Sequence, residues 1–531
     1  MKGKTRFITY TVLFLGILAI IVAIAIPQFA TYRCGPSTNT AYSPPIYYEE
    51  EVCPTYTKFN TEAYDYLQEH PFLKVEQNPL STFGIDVDTA SYANIRRFIR
   101  HGQMPPKDAV RIEEMINYFT YNYPTPSTDK PFSVRTEVAN CPWQENHKLL
   151  SLALKGKELA DGKRPPSNLV FLLDVSGSMD SPNKLPLLKR AMKLLVRQLG
   201  DDDRVAIVVY AGAAGLVLPS TTCTDKNKRE ILHSLENLRA GGSTHGSQGI
   251  RLAYRTAETN FLKDGTNRVI LATDGDFNVG VTSRGELVRL IEDKAETGIF
   301  LTVLGFGTGN LKDSTMEQLA DKGNGNYAYI DSLREARKVL VEQIAGTLVT
   351  IAKDVKIQVE FNPTEVSAYR LIGYENRSLR SEDFNDDKKD AGEIGAGHTV
   401  TALYEVVPAG QKMKLPGVDP LKYQKTSTMP TTAGELLTVK LRYKEPDGDI
   451  SKLMAVVVKD GDGAFEHASK DFRFASAVAA FGMLLRDSPN KGRATYEDVI
   501  QLARSAMDHD EQGYRSEFIN LVRHAKDIER M

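Results

Sequence analysis

The sequence predicts an α/β protein. A doubly wound, mostly parallel sheet is inserted between the β-strands of a flanking β-sandwich, with an N-terminal α/β module before it and C-terminal helices after it. Three observations predict this. From Ser167 to Gly346, short Val/Ile/Leu-rich runs alternate with helical stretches, the pattern of a parallel sheet covered on both faces. The segments on either side, 131–165 and 351–464, carry strand-like runs. Beyond Ala468 the periodicity is helical to the end.

The elements follow in order. Lys2, Lys4 and Arg6 precede an uncharged run from Phe7 to Tyr32, about 26 residues and long enough to cross a hydrocarbon core. Ala23-Ile24-Ala25 is followed by Ile26-Pro27, a poor cleavage context, so residues 1–34 read as a signal-anchor helix rather than a removed leader. TYRC lacks the small apolar residues expected before a lipidated cysteine. Positive charge before the run places the N-terminus in the cytoplasm and the bulk of the chain outside it, as a single-pass protein of the cytoplasmic membrane. Residues 35–78 are rich in Pro, Tyr, Thr and Ser and read as a flexible tether.

The N-terminal module spans 79–130. STFGIDVDT reads as a strand and turn, followed by the helices TASYANIRRFIRHG and DAVRIEEMINYF. Asp86-Val87-Asp88-Thr89-Ala90-Ser91 resembles a metal motif but reads better as a strand end and a helix cap on Asp88 or Thr89. FSVRTEVANC and LLSLALKG supply sandwich strands in 131–165, with Trp143 packed between them. In 166–350 the strands are LVFLLD, RVAIVVYA, VILATD and IFLTVLGFG, and a final helix covers 332–348. In 351–464 five further strands follow, with EPDGDI as a hairpin turn and FNDDKKDAGE as an exposed loop. Residues 465–531 form the helical end.

Net charge is -2, so no global field selects nucleic acid, and no nucleic-acid motif is present. Cys34 and Cys53 are able to close a short loop in an oxidising compartment, whereas Cys141 and Cys223 read as buried small hydrophobes. None of the cysteine or histidine spacings resembles a zinc site.

Five side chains in three segments converge on one chemistry. Asp174, Ser176 and Ser178 lie in FLLDVSGSM, Thr244 in AGGSTHG and Asp274 in VILATDGDF. Asp174 and Asp274 each end a predicted strand, at the carboxyl edge where ligands bind in such sheets. Oxygen donors with only two carboxylates suit Mg²⁺, with Mn²⁺ or Ca²⁺ as alternatives, and leave the ion electrophilic. Each segment alone also fits a helix cap or a glycine turn; the three in this order are harder to dismiss.

Together they resemble the metal-ion-dependent adhesion site of von Willebrand factor type A (VWA) domains. DVSGSM matches D-x-S-x-S, Thr244 the threonine and Asp274 the distal aspartate. The resemblance covers 167–346. It implies a doubly wound fold and a protein ligand that presents Asp or Glu. The flanks resemble a family of bacterial VWA proteins with a conserved N-terminal module and a C-terminal extension of unassigned function, which implies an envelope location.

The expected function is therefore a membrane-anchored, extracytoplasmic, metal-dependent binding protein, and not an enzyme. One alternative is a non-adhesive scaffold or assembly factor of an envelope complex, linked to an ATPase. Another is a hydrolase. VSGSM is not the G-x-S-x-G elbow, because Val175 stands where glycine is needed. His245 reads as a loop histidine rather than a base. GFGTGN at 305–310 lacks G-x-G-x-x-G spacing and reads as a turn beside the metal edge. Partner identity and oligomeric state stay open.

Overall fold

The computed structural model describes residues 61–531 apart from 128, 160–163, 244–245, 276–283, 412, 414–433, 447, 462 and 509. The expected anchor at 1–34, Cys34 and Cys53 lie outside the described residues. Among the described residues no helix is long and apolar enough to cross a membrane.

Among the described residues sixteen strands are numbered in chain order. β1 (Leu73–Lys74), β2 (Leu80–Gly84), β3 (Phe132–Asn140) and β4 (Lys148–Gly156) precede the insertion. β5 (Ser167–Asp174), β6 (Arg204–Tyr210), β7 (Ala214–Thr222), β8 (Thr266–Thr273), β9 (Ile299–Phe306) and β10 (Tyr327–Ile330) form it. β11 (Thr350–Phe361), β12 (Val366–Ile372), β13 (Gly392–Gly395), β14 (Thr399–Pro408), β15 (Glu435–Lys444) and β16 (Lys452–Lys459) follow.

The inserted sheet has the order β10-β9-β8-β5-β6-β7. All of its pairs are parallel except β6 with β7. β5 is buried at every position, as a central parallel strand with helices on both faces must be. One helical layer, with Leu188, Met192 and Ile231, packs on one face. Ile250, Tyr254, Leu287 and Met316 cover the other. β7 and β10 were not expected. β7 is a half-exposed edge strand interrupted by Pro219, and β10 has only four residues, so neither gives a long apolar signal.

Strands from before and after the insertion join in one sheet. β4 pairs antiparallel with β14 from Lys155↔Thr399 to Lys148↔Val406, in the order β1-β12-β14-β4-β3. The second sheet runs β13-β11-β15-β16, with β2 also on β11. Phe83, Leu152, Ile357, Tyr404 and Val439 fill the space between the sheets. β14 is buried along nearly its whole length, because helices cover the outer face of its sheet. Trp143, Phe119, Phe474 and Phe518 lie in that helical layer.

Several local expectations change. Residues 35–78 were expected to be a tether; 35–60 lie outside the described residues, but within 61–78 β1 pairs with β12, and Thr61 and Ala63 N–H groups donate to Gly309 and Leu311 carbonyls at 2.8 and 3.0 Å. Thr89 stands at the N-cap position of the helix Ala90–Arg100 but makes no side-chain cap. The Ser91 N–H instead donates to Glu114 Oε2 at 2.7 Å. Asp88 Oδ1 accepts the Tyr327 N–H at 2.8 Å, so that carboxylate ties two segments together rather than capping. FNDDKKDAGE is not wholly an exposed loop: Phe384 is buried and Gly392 begins β13. The final helix over 332–348 is broken into Leu333–Arg337, a π-helical turn Lys338–Glu342, and Ile344–Leu348. That widened turn carries Lys338, whose ammonium donates to the Tyr118 carbonyl. Cys141 and Cys223 are free and buried.

Candidate metal centre

β5 delivers Asp174 to the carboxyl edge of the inserted sheet, and β8 delivers Asp274 beside it. Both aspartates are fully buried, as is Ser176. The loop after β5 is fixed by three backbone bonds. The Val175 N–H donates to the Tyr210 carbonyl at 3.0 Å, Gly241 N–H to the Val175 carbonyl at 2.8 Å, and Gly177 N–H to the Gly242 carbonyl at 3.0 Å. The last two tie it to the segment that carries Thr244. Thr244 and His245 lie outside the described residues.

Two glycines make this packing possible. Gly242 has φ +82° and approaches the Gly212 nitrogen closely. Gly275 has φ +99°, and a Cβ there would meet the Asn310 carbonyl oxygen at 2.6 Å. The glycine of TDG therefore lets the Asp274 loop lie on the GFGTGN turn, which does sit beside this edge. Asn310 Nδ2 reaches Asp274 Oδ2 at 3.4 Å.

Each oxygen of Asp174 is held. Oδ1 accepts the Ser176 N–H at 2.9 Å. Oδ2 accepts the Tyr210 hydroxyl at 3.2 Å and the Thr273 hydroxyl at 3.1 Å. Burial pushes the Asp174 carboxyl up to about 6, with Asp274 adding to the rise and the Ser176 contacts opposing it. The Ser176 and Ser178 hydroxyls lie 3.1 Å apart.

Sequence reasoning missed four contributors: Thr273, Tyr210, Asn310 and Lys184. Lys184 Nζ donates to Asp274 Oδ2 at 2.6 Å, and its aliphatic stem lies against Gly307. Nothing in DSPNKL signals this role, because the partner is a loop 90 residues away.

The residues fit a hard divalent ion. All donors are oxygens, and the two hydroxyls have the separation of adjacent octahedral ligands, which bonds of about 2.1 Å place roughly 3 Å apart. A divalent charge would also offset the two buried carboxylates.

Gly249 positions the helix that begins just after the Thr244 segment. A Cβ at Gly249 would lie 2.8 Å from Tyr210 Cβ and 3.2 Å from Leu172 Cδ1. Gly249→Ala is therefore expected to lower stability by about 1–3 kcal/mol, the usual cost of overpacking a filled core. A denaturant midpoint indistinguishable from wild type would refute the close packing.

This sheet order and this loop arrangement define a VWA domain, and comparison with known proteins agrees. The von Willebrand factor type A family model matches residues 168–343. A second model, described as von Willebrand factor, matches 58–151, and one described as the C-terminal part of uncharacterized protein YfbK matches 346–528. The chain is 43% identical to YfbK of Escherichia coli over 471 residues, covering 87% of this chain and 80% of that protein. The chain thus belongs to the YfbK family of VWA-domain proteins. It is also 28% identical to sll0103 of Synechocystis over 187 residues, covering 35% of this chain and 43% of that protein. A solved von Willebrand factor type A structure from Catenulispora acidiphila aligns over 75% of this chain and 91% of its own, at 16% identity and TM-score 0.42. The domain class supports a protein-interaction or adhesion-type role, in a family that is typically non-catalytic.

Proposed function

We propose that this chain holds a protein partner through a divalent cation bound by Asp174, Ser176, Ser178, Thr244 and Asp274, with Mg²⁺ the favoured ion. Bound there, the ion offers an electrophilic position to an Asp or Glu carboxylate of the partner. The protein's own groups prepare that position. Tyr210 and Thr273 fix Asp174, and the Gly177–Gly242 bond holds the first and second loops together. The observation that carries the reading is the convergence of the Ser176 and Ser178 hydroxyls beside buried Asp174.

The same reading makes residues 7–32 the anchor in the cytoplasmic membrane, with the folded part outside the cytoplasm. The basic residues before the run support that orientation. Protease digestion of spheroplasts tests it: cleavage of the folded part is expected, and protection would reverse the topology.

Partner binding is tested by a Mg²⁺-dependent pull-down from envelope extract, with Asp174→Ala as control. A partner retained equally by Asp174→Ala, or in EDTA, would defeat the metal-bridged reading. Lys184 gives an independent check, because its charge sits on one of the proposed ligands. Lys184→Met is expected to lower the melting point without metal and to tighten Mg²⁺ binding by roughly tenfold, or about 1.4 kcal/mol. Unchanged or weaker Mg²⁺ affinity by calorimetry would contradict a role for Asp274 at the ion.

A further inference from the structure

At the opposite edge of the inserted sheet lies a second group of acids. Asp354, Asp390 and Glu393 each bring one carboxylate oxygen within 4.8 Å of the others. Asp354 and Asp390 line a cleft of about 710 Å³ between the sandwich and the inserted domain, where Glu292 and Lys322 form the facing wall.

The backbone sets this arrangement. β11 loses register with β13 between Ala352 and Val355, a bulge that re-aims the residues within it. Asp354 sits in that bulge at φ +50°, a conformation aspartate tolerates better than most residues. Its Oδ1 accepts the Ala391 N–H at 3.2 Å. Glu393 projects from β13, the strand paired across the bulge.

The charges do not balance within the cluster. Lys444 pairs with Asp354, and Lys322 pairs with Asp390 at 3.0 Å. Glu393 has neither. Its Oε1 is closed to solvent, and among the described residues no donor reaches it. Two buried guanidiniums whose charges reach Glu393 bond elsewhere: Arg268 donates to Thr302 Oγ1 at 2.8 Å, and Arg377 donates to Asp321. Burial and then the neighbouring Asp390 and Asp354 push the Glu393 carboxyl well above the usual carboxylate range. Asp390 is pushed up to about 6, mainly by burial. A carboxylate with a buried, unpartnered oxygen beside two other acids is costly unless a proton or a cation compensates it.

We propose that Asp354, Asp390 and Glu393 form a second divalent-cation site, suited to Ca²⁺, on the face of the sandwich that meets the inserted domain. Ca²⁺ accepts six to eight oxygens at roughly 2.3–2.6 Å in flexible geometry, so it spans oxygens up to about 5 Å apart. Waters from the cleft complete its shell. The site is separate from Asp174 and Asp274, which lie at the far ends of the strands.

Calorimetric titration of CaCl₂ into the full-length Asp174→Ala chain in detergent isolates this site from the first. One Ca²⁺ per chain is expected to bind. Glu393→Gln in the same background is expected to weaken it at least tenfold, and Asp390→Asn, nearer the open cleft, to do likewise. Circular dichroism checks the fold of each variant, and Asp390→Asn carries the comparison if Glu393→Gln does not fold. Absence of Ca²⁺ binding to Asp174→Ala, or equal affinity in the folded variants, would overturn the proposal and assign a proton to Glu393.

Discussion

Replacing Asp174 with alanine is expected to remove the Mg²⁺-dependent gain in stability while the chain still folds. In wild type, metal at ~100 times its dissociation constant adds roughly 2.7 kcal/mol, because only the folded state binds it. Asp174→Ala removes a proposed ligand at the end of β5. It also removes the carboxylate that accepts from the Tyr210 and Thr273 hydroxyls and the Ser176 N–H. Losing a buried partner of this kind costs about 1–3 kcal/mol, partly offset because the charge of Asp274 no longer faces a second buried carboxylate. The variant should therefore melt somewhat lower in EDTA and show no rise with Mg²⁺. Asp174→Asn separates the two effects, since it keeps an acceptor but loses the charge. Thermal melts with and without Mg²⁺ measure both. A full metal response in Asp174→Ala would remove Asp174 from the site.

A loss of about 3–5 kcal/mol is expected when Arg96 is replaced by methionine, the range for breaking a buried ion pair from one side. Arg96 is buried in the helix Ala90–Arg100. Its guanidinium meets Asp331 at 2.5 Å and Glu335 at 2.7 Å, and donates to the Tyr118 hydroxyl at 2.9 Å. Glu335 is as deeply buried as Arg96, so it has little water to replace the lost cation. The pair fastens the N-terminal helix to the segment through which the VWA domain leaves for β11. Arg96→Lys keeps the charge without the planar fork, and should lie between the two. Urea midpoints of the three chains check the order. Wild-type stability in Arg96→Met would show that the junction does not depend on this pair.

The parts of the fold legible in the sequence were those whose signal is local. β5, β6, β8 and β9 are continuous apolar runs because helices bury both their faces. The helix Leu185–Gln198 shows its apolar stripe directly. Elements that depend on distant partners were not legible. β13 is a Gly-Glu-Ile-Gly stretch that becomes a strand only because the bulged end of β11 pairs with it. Asp88 reads as a cap from its neighbours, yet its contacts are Tyr327 and Arg377.

The candidate site divides in the same way. Asp174, Ser176 and Ser178 are close in sequence, and the strand before them places them at the sheet edge, so their spacing carries the signal. The supporting shell is long-range. Tyr210 and Thr273 come from other strands, and Lys184 crosses to Asp274 from the turn before a helix. Such pairings leave no periodicity or motif. Asp390 and Glu393 of the second cluster look like ordinary solvated charges in FNDDKKDAGE, and only the fold of β11 against β13 brings them to Asp354.

Anomalous diffraction from crystals of the protein grown with Mn²⁺ would locate the ion at the end of β5. A metal peak is expected at bonding distance from the Ser176 and Ser178 hydroxyls, beside Asp174 and Asp274. Well-ordered loops at that edge with no peak between those two serines, at saturating Mn²⁺, would contradict it.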